Sequence, residues 1–509
     1  MRNQLLALLA LAPIVCQAQS PTVWSIGTPD GSAAELALGP ADYKKFLSRD
    51  FGYEDGFYLV GRSKPNEDFP YVLPGPDDTW GGTWNTSGWR THQTNVLFDL
   101  ADVPTGVRFR LVIDILDCSP VRSLLKVTVN DRQSEKFELK GSDEKSIEGR
   151  GVAKNRRLTV DIEPDVLRKG GNQLTLAVLE GSWIVFDAVR LEASHNVDTI
   201  VPDKVFVRGV EVAQYELSQE GRRVQPLIVD IQALAETPAE LEILIDGKQV
   251  MKTALEGGRH QFEVPMAATK RPRTSRYSIL LDGNEVASGE ARRSAQSLRR
   301  AADYVDTKIG SAHSRWMIAP GPWMPMSMVK MSPDNQNRGW QAGYQPTFET
   351  VGTFSHIHEW TMGGLGLMPT NGELQTSVGD QFRPDEGYRS RIDKLTEEAP
   401  LGYYKVYMTD TDILAEVTAT TRCGFQRYTF PTDKPGRVMI DLHIEAEYDY
   451  LLPEVEVKRV GDRRIEGRSH QISPRPGVWS NDADQEYTLH FVIEFDRPIA
   501  RAGGWMDGE

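Results

Sequence analysis

The chain has 509 residues, 39% of them hydrophobic, and carries 72 acidic against 58 basic side chains for a net charge of −14. That length predicts about three domains of roughly 100–200 residues, each large enough to bury a core. The acidic balance, with no basic stripe, excludes nucleic acid as a partner. With only three cysteines, stability must come from packed cores rather than disulfides.

At the N-terminus Arg2 precedes the apolar run Leu5 to Val15 and a small-residue exit, Cys16-Gln17-Ala18. This is the pattern of a signal peptide over residues 1–18, so a secreted or periplasmic protein is expected. A membrane-spanning helix needs about 20 apolar residues; this run is roughly half that, and no later segment is apolar enough. Of the remaining cysteines, Cys118 and Cys423 fall in different units and read as two separate buried thiols.

Beyond the leader, apolar and polar residues alternate, as in Leu174-Thr175-Leu176-Ala177-Val178 and Leu489-His490-Phe491-Val492-Ile493. A two-residue period puts alternate side chains on one face of a strand, so the chain is expected to be all-β, built of sandwiches. Asn130-Asp131, Asp246-Gly247, Gly257-Gly258 and Asp282-Gly283 between such runs predict hairpin turns with positive φ. Polar interruptions divide the chain into three β units, 22–194, 203–292 and 304–509. Leu298, Ala302 and Val305 recur at helical spacing, which predicts a linker helix over 293–303 with Arg292, Arg293, Arg299 and Arg300 on its solvated face. The middle unit, with short strands and hairpin turns, reads as an immunoglobulin-like spacer. No internal repeat or phosphate-binding glycine loop is present.

In the first unit Trp80, Trp84 and Trp89 lie among Gly75, Gly81, Gly82 and Gly88. An exposed indole is a flat apolar plate that suits the C–H faces of a sugar, so these three are candidate glycan contacts; the plain alternative is that they cap the sandwich. Phe51-Gly52-Tyr53-Glu54-Asp55-Gly56-Phe57-Tyr58-Leu59-Val60-Gly61-Arg62-Ser63, Asp68-Phe69-Pro70 and Val185-Phe186-Asp187-Ala188-Val189-Arg190-Leu191 resemble the third domain of rhamnogalacturonan lyases. The resemblance implies a jelly-roll, carbohydrate-binding-module-like accessory rather than a site of elimination.

In the third unit Ala319-Pro320-Gly321-Pro322-Trp323-Met324-Pro325 must be an irregular loop, because proline removes donors and fixes φ. Gly339-Trp340-Gln341-Ala342-Gly343-Tyr344 sets an indole between glycines, and Phe354-Ser355-His356-Ile357-His358-Glu359-Trp360 puts two histidines on one face of an extended strand. Metal ligation would need a third protein ligand, and no such spacing occurs. Histidines that bond sugar hydroxyls or pack in a polar core are the other readings. Trp340, Ser355, His356, His358 and Glu359 form the candidate substrate-facing set.

These segments, with Leu367-Met368-Pro369-Thr370-Asn371-Gly372, Pro400-Leu401-Gly402-Tyr403-Tyr404-Lys405-Val406 and Thr421-Arg422-Cys423-Gly424-Phe425, resemble the N-terminal β-sandwich of glycoside hydrolase family 92. The family comprises calcium-dependent inverting exo-α-mannosidases. Glu359-Trp360-Thr361-Met362-Gly363-Gly364 departs from the family's Leu-Ser-Gly type loop, which faces the sugar. The resemblance implies that the catalytic acid, base and calcium ligands lie in a downstream helical domain, so no catalytic residue, metal ligand or cofactor is expected in this chain. The expected partner is carbohydrate, either a mannose-containing glycan or a plant-type polysaccharide. Two functions follow: the non-catalytic front of an α-mannosidase-like exo-glycosidase, or a complete non-catalytic carbohydrate-binding protein.

Overall fold

The computed structural model describes residues 20–53, 55–83, 90–234, 237–311, 319–324, 326–335, 343–358, 362–444, 450–473 and 485–506. The expected leader peptide lies outside them. Among these residues the molecule is all-β, with no helical segment longer than five residues. None is long and apolar enough to cross a membrane.

The first unit is a two-sheet sandwich. One sheet runs in the order Thr22–Ile26, Ile184–Ala193, Phe109–Cys118, Arg156–Ile162, and the other Thr199–Ile200, Gln93–Leu100, Gly170–Glu180, Ser123–Val129, Gln133–Leu139. Neighbours in space are distant in sequence, which is the crossed connectivity of a jelly roll. Phe46, Phe69, Phe98 and Phe186 fill the space between the sheets. Cys118 is buried there, and burial pushes its thiol up to about 11.

The second unit packs the sheet Val205–Val212, Leu227–Ala233, Gly258–Val264 against Lys248–Leu255, Ala239–Ile245, Arg273–Leu281, Asn284–Arg293. Val229, Ile231, Leu241, Ile243 and Ile279 form its core. The hairpin turns fall as expected: Asn130, Asp131, Asp246, Gly247, Gly258, Asp282 and Gly283 all have positive φ.

No linker helix forms. The strand Asn284–Arg293 runs straight into an extended strap that lies along Glu216, whose N–H donates to the Ser297 carbonyl (2.7 Å) and whose carbonyl accepts from Arg299 N–H (2.5 Å). Only Ala301–Tyr304 makes a 3₁₀ turn. The helical stripe has nothing to bury itself against, since Leu298 and Val305 are both 46% exposed. A short helix without a packed face does not hold in water, and the buried Glu216 offers the backbone an alternative. Arg293 is not on a solvated face either: it is buried, with Nη2 donating to Ser275 Oγ at 2.7 Å.

In the third unit the sheet Ser332–Asp334, Thr353–His358, Met362–Thr370, Arg437–Asp441 faces Thr350–Val351, Ser390–Glu398, Tyr404–Met408, Ile413–Ala419, Gly424–Thr429. Met331, Phe354, Met368, Ile392, Tyr404 and Val406 are buried between them. A three-stranded sheet, Leu451–Val460, Arg464–Ser473, Gln485–Glu494, covers the outer face of the first through Leu365, Leu367, Ile465, Phe491 and Ile493. Cys423, expected to be buried on a strand, is exposed. It closes a turn ahead of Gly424–Thr429, in which Cys423 N–H donates to Thr420 Oγ1 (3.2 Å) and its carbonyl accepts from Thr420 N–H (2.8 Å). The polar Thr420-Thr421-Arg422 run favours that turn over continued strand.

The first and third units meet face to face. Glu349 is 8% exposed and receives Lys126 Nζ and, at 2.5 Å, Lys136 Nζ from the adjacent first-unit strands Ser123–Val129 and Gln133–Leu139. Beside it Glu180 is buried near Arg122 (3.7 Å), and Arg122 reaches the Phe382 carbonyl of the third unit (3.4 Å).

Candidate functional site

The strand Ser332–Asp334 pairs antiparallel with Thr353–His358, setting Ser332 opposite Ser355 and Asp334 opposite Thr353. Asp334, Ser355 and His358 come together at the end of this pair, all fully buried. Ser355 Oγ donates to Asp334 Oδ1 (2.8 Å), His358 Nε2 lies 2.6 Å from the same oxygen, and Ser355 Oγ is 2.8 Å from that ring nitrogen. A Ser-His-Asp relay needs its two partners on opposite ring nitrogens. Here both crowd Nε2, so this trio cannot activate the serine and instead pins the strand end. Asp334 Oδ2 is buried with no hydrogen-bond partner among the described residues.

The two histidines do not share a face. Pairing with Met362–Thr370 shifts register between Ser355 and Ile357, an irregularity that turns the strand end. His356 therefore points the other way: Nδ1 donates to the Leu365 carbonyl (2.6 Å), and Nε2 faces the Gln426 amide at 3.5 Å. Burial lowers its pKa, so the ring is neutral near pH 7. Sequence alternation alone missed this because a register shift resets which side each residue faces.

Trp340 and Glu359 lie outside the described residues, but the residues bracketing their segments are in view. Asn335 N–H donates to the Gly343 carbonyl (2.9 Å), while its side chain accepts from Gln345 N–H (2.7 Å) and donates to the Gln345 carbonyl (2.8 Å). Gly343 has φ +76°, and a Cβ there would stand 2.0 Å from Met362 Sδ and 3.1 Å from His358 Cε1. The base of segment 336–342 therefore rests directly on the base of segment 359–361. Buried Arg389 braces the pair from behind, donating to the carbonyls of Asp334 (3.5 Å) and Asn335 (3.4 Å). Neither Asn335 nor Arg389 stood out in the sequence, since a buried clamp on backbone carbonyls has no sequence motif.

The buried carboxylates of this unit have structural partners. Glu397 accepts from Lys394 Nζ (2.8 Å), Tyr344 Oη (2.9 Å) and Tyr404 Oη (2.7 Å). Burial raises its pKa, but Lys394 and the hydroxyls outweigh that and the net shift is downward. Asp441 takes the Tyr388 hydroxyl (2.6 Å), and burial pushes its pKa up to about 6. Among the described residues no three His, Cys, Asp or Glu side chains converge on a metal position.

In the first unit Trp80 is half-buried and packs edge-on against Tyr43 (5.1 Å between centroids) and Phe46 (6.2 Å), at the edge of the core. Trp84 and Trp89 lie outside the described residues. Their segment, 84–89, leaves from a tied base, where Arg90 N–H donates to Thr83 Oγ1 (2.9 Å). Next to it Asp78 is buried, accepting from Gly75 N–H (3.0 Å) and Ser182 Oγ (2.6 Å).

Residues 22–191 match polysaccharide lyase family 4, domain III, a CBM-like module, and residues 304–509 match the glycosyl hydrolase family 92 N-terminal domain. No curated protein matches the chain. Among solved structures it is similar to a family GH92 alpha-mannosidase from Bacteroides thetaiotaomicron, at 25% identity over 40% of this chain and 27% of that one, with a TM-score of 0.35. It is also similar to a family GH92 inverting mannosidase from Bacteroides thetaiotaomicron VPI-5482, at 17% identity over 40% and 30% of the two chains (TM-score 0.28). A CBM35 from Cellvibrio japonicus aligns at 11% identity over 37% of this chain and 94% of its own (TM-score 0.18). The chain covers less than a third of either mannosidase. The chain thus joins a CBM-like domain matching polysaccharide lyase family 4, domain III, to a domain matching the glycosyl hydrolase family 92 N-terminal domain.

Proposed function

We propose that this protein is an exported glycan-recruiting partner in mannoside hydrolysis: residues 22–194 hold the polysaccharide and residues 304–509 supply one wall of an exo-acting pocket. The observation that carries the reading is the contact of Gly343 with His358 and Met362, residues that flank in sequence the stretches holding Trp340 and Glu359. A tryptophan offers a stacking plate and a carboxylate a hydroxyl acceptor to a terminal sugar. In this reading Ser355 and His358 pin the strand end with Asp334, and His356 is held by the Leu365 carbonyl. In the first unit Trp80 packs against the core, so this reading puts the stacking chiefly on Trp84 and Trp89. The catalytic acid and base belong to a downstream helical domain in this reading. An inverting glycosidase sets two carboxylates about 6.5–9.5 Å apart; among the described residues of the third unit, the buried carboxylates are engaged by Lys394, Tyr388, His358, Arg427 and the inter-unit lysines. In this reading calcium too belongs with the downstream domain, and no step here passes through it.

Affinity electrophoresis through gels containing yeast mannan or rhamnogalacturonan tests the recruitment. Retardation should fall in Trp84→Ala or Trp89→Ala and persist in Trp80→Phe; equal mobility with and without polysaccharide would refute it. The chain should not turn over α-linked mannobiose with or without calcium. N-terminal sequencing of exported protein should begin near Gln19.

A further inference from the structure

The middle unit matches neither family, yet it carries a built groove. The strap that replaces the linker helix runs past the hairpin Leu217–Gln219/Arg222–Val224 and leaves beside it an open groove of about 400 Å³. That is within the roughly 300–1,000 Å³ of small-molecule sites. Pro226 and Pro265 contribute an apolar surface, and Gln219, Glu263, Arg299 and Tyr304 the polar and aromatic one.

Three features make this more than a surface dent. First, the strap is fixed: besides its backbone bonds to Glu216, the Glu216 carboxylate accepts from Gln296 N–H (3.1 Å) and pairs with Arg223 (2.6 Å). Second, the Arg299 guanidinium is clamped between the rings of Tyr215 (4.3 Å) and Tyr304 (3.8 Å), and its Nη2 donates to the Asp303 carbonyl (2.7 Å). Such a stack holds Tyr304 as a rigid plate, and Tyr304 is still 48% exposed. Third, Glu263 receives the Tyr215 hydroxyl and lies 3.9 Å from Arg299 Nη1, so a carboxylate stands at the groove with its charge balanced.

We propose that this groove is a third carbohydrate subsite, specific for neutral pyranosides. A sugar ring has an apolar C–H face and a rim of hydroxyl donors. The pinned Tyr304 ring suits the face at low entropic cost, and Glu263 with Gln219 can accept from and donate to the rim. The charge pairing selects against uronic acids, because Arg299 is already compensated and a second carboxylate would meet Glu263. The proposal rests on the carbohydrate-active assignment but not on mannose or on the wall formed by residues 304–509.

The test is saturation-transfer NMR and titration calorimetry on the full chain with mannotriose, xylotriose and trigalacturonate, run on wild type, Tyr304→Ala, Tyr304→Phe and a Trp84→Ala/Trp89→Ala variant. A local readout accompanies them: phenylglyoxal modification of Arg299, followed by peptide mass spectrometry. At least one neutral trisaccharide should bind and slow modification of Arg299 severalfold, in the tryptophan variant as well. Tyr304→Ala should lose that protection with its thermal melt unchanged, and Tyr304→Phe should keep it. Protection of Arg299 by xylotriose without any mannan retardation would sustain the subsite while sinking the mannoside reading. Retardation by mannan with Arg299 unprotected by every neutral sugar, or tighter binding of trigalacturonate, would overturn the subsite alone.

Discussion

Replacing Glu349 with alanine should loosen the first unit from the third. The carboxylate sits at the interface, and its two oxygens each receive one lysine ammonium, Lys126 on Oε1 and Lys136 on Oε2. Removing it leaves two ammonium groups without their shared carboxylate, beside a gap lined by Leu124, Leu179, Phe348 and Arg391. Breaking a buried pair typically costs about 3–5 kcal/mol, because the surviving charge has lost its compensation. Lys136 is nearly a third exposed and regains water, so its share is discounted. The remaining effect, about 3 kcal/mol, is roughly a hundredfold in the docking equilibrium. Calorimetry reads it directly: a shared transition of the two units in wild type should split or move down in Glu349→Ala. Glu349→Met combined with Lys126→Met should recover part of the loss, since apolar isosteres often replace buried pairs at no cost. If Glu349→Ala melts like wild type, or the double variant is no better than the sum of its parts, the clamp contributes nothing.

The same interface should respond to pH through Glu180, whose pKa burial pushes up to about 7 against the pull of Arg122 and Arg391. A carboxyl raised on folding binds more protons in the folded state, so stability is full below the ordinary carboxylate pKa and lost as pH rises from about 4.5 to 7; Glu180→Gln should flatten the melting temperature across that window. Gly343→Ala should destabilise by more than about 2 kcal/mol, since a side chain would combine strained φ with a clash on Met362; chemical denaturation followed by fluorescence would show it, and a neutral result would mean the two loop bases are not in contact. Titration of folded protein with a thiol reagent should modify Cys423 quickly and Cys118 only on unfolding, and equal rates would contradict the turn that exposes Cys423.

Much of the architecture was legible in the chain itself. The alternation Leu174, Leu176, Val178 is buried on one side throughout, because a strand has a strict two-residue period and one face must meet the core. Asp246-Gly247 and Asp282-Gly283 turn where they should, because their conformation is local and few residues adopt positive φ cheaply. The two sugar-related domains were recognisable from motifs alone, and their family matches agree. What stayed hidden depended on partners far away in sequence. The strap at 294–300 has helical spacing, yet Glu216, some eighty residues earlier, captures its backbone. His356 and His358 have the spacing of a same-face pair, yet a register shift against Met362–Thr370 sends one to Leu365 and the other to Asp334. Glu349 has no motif at all, and only the docking of one sandwich on another brings two lysines to it from more than two hundred residues away. Period and turn chemistry are written residue by residue, so the sequence by itself determined strands, turns and domain types. Charge compensation and strand register are properties of pairs, and only the tertiary structure decided them.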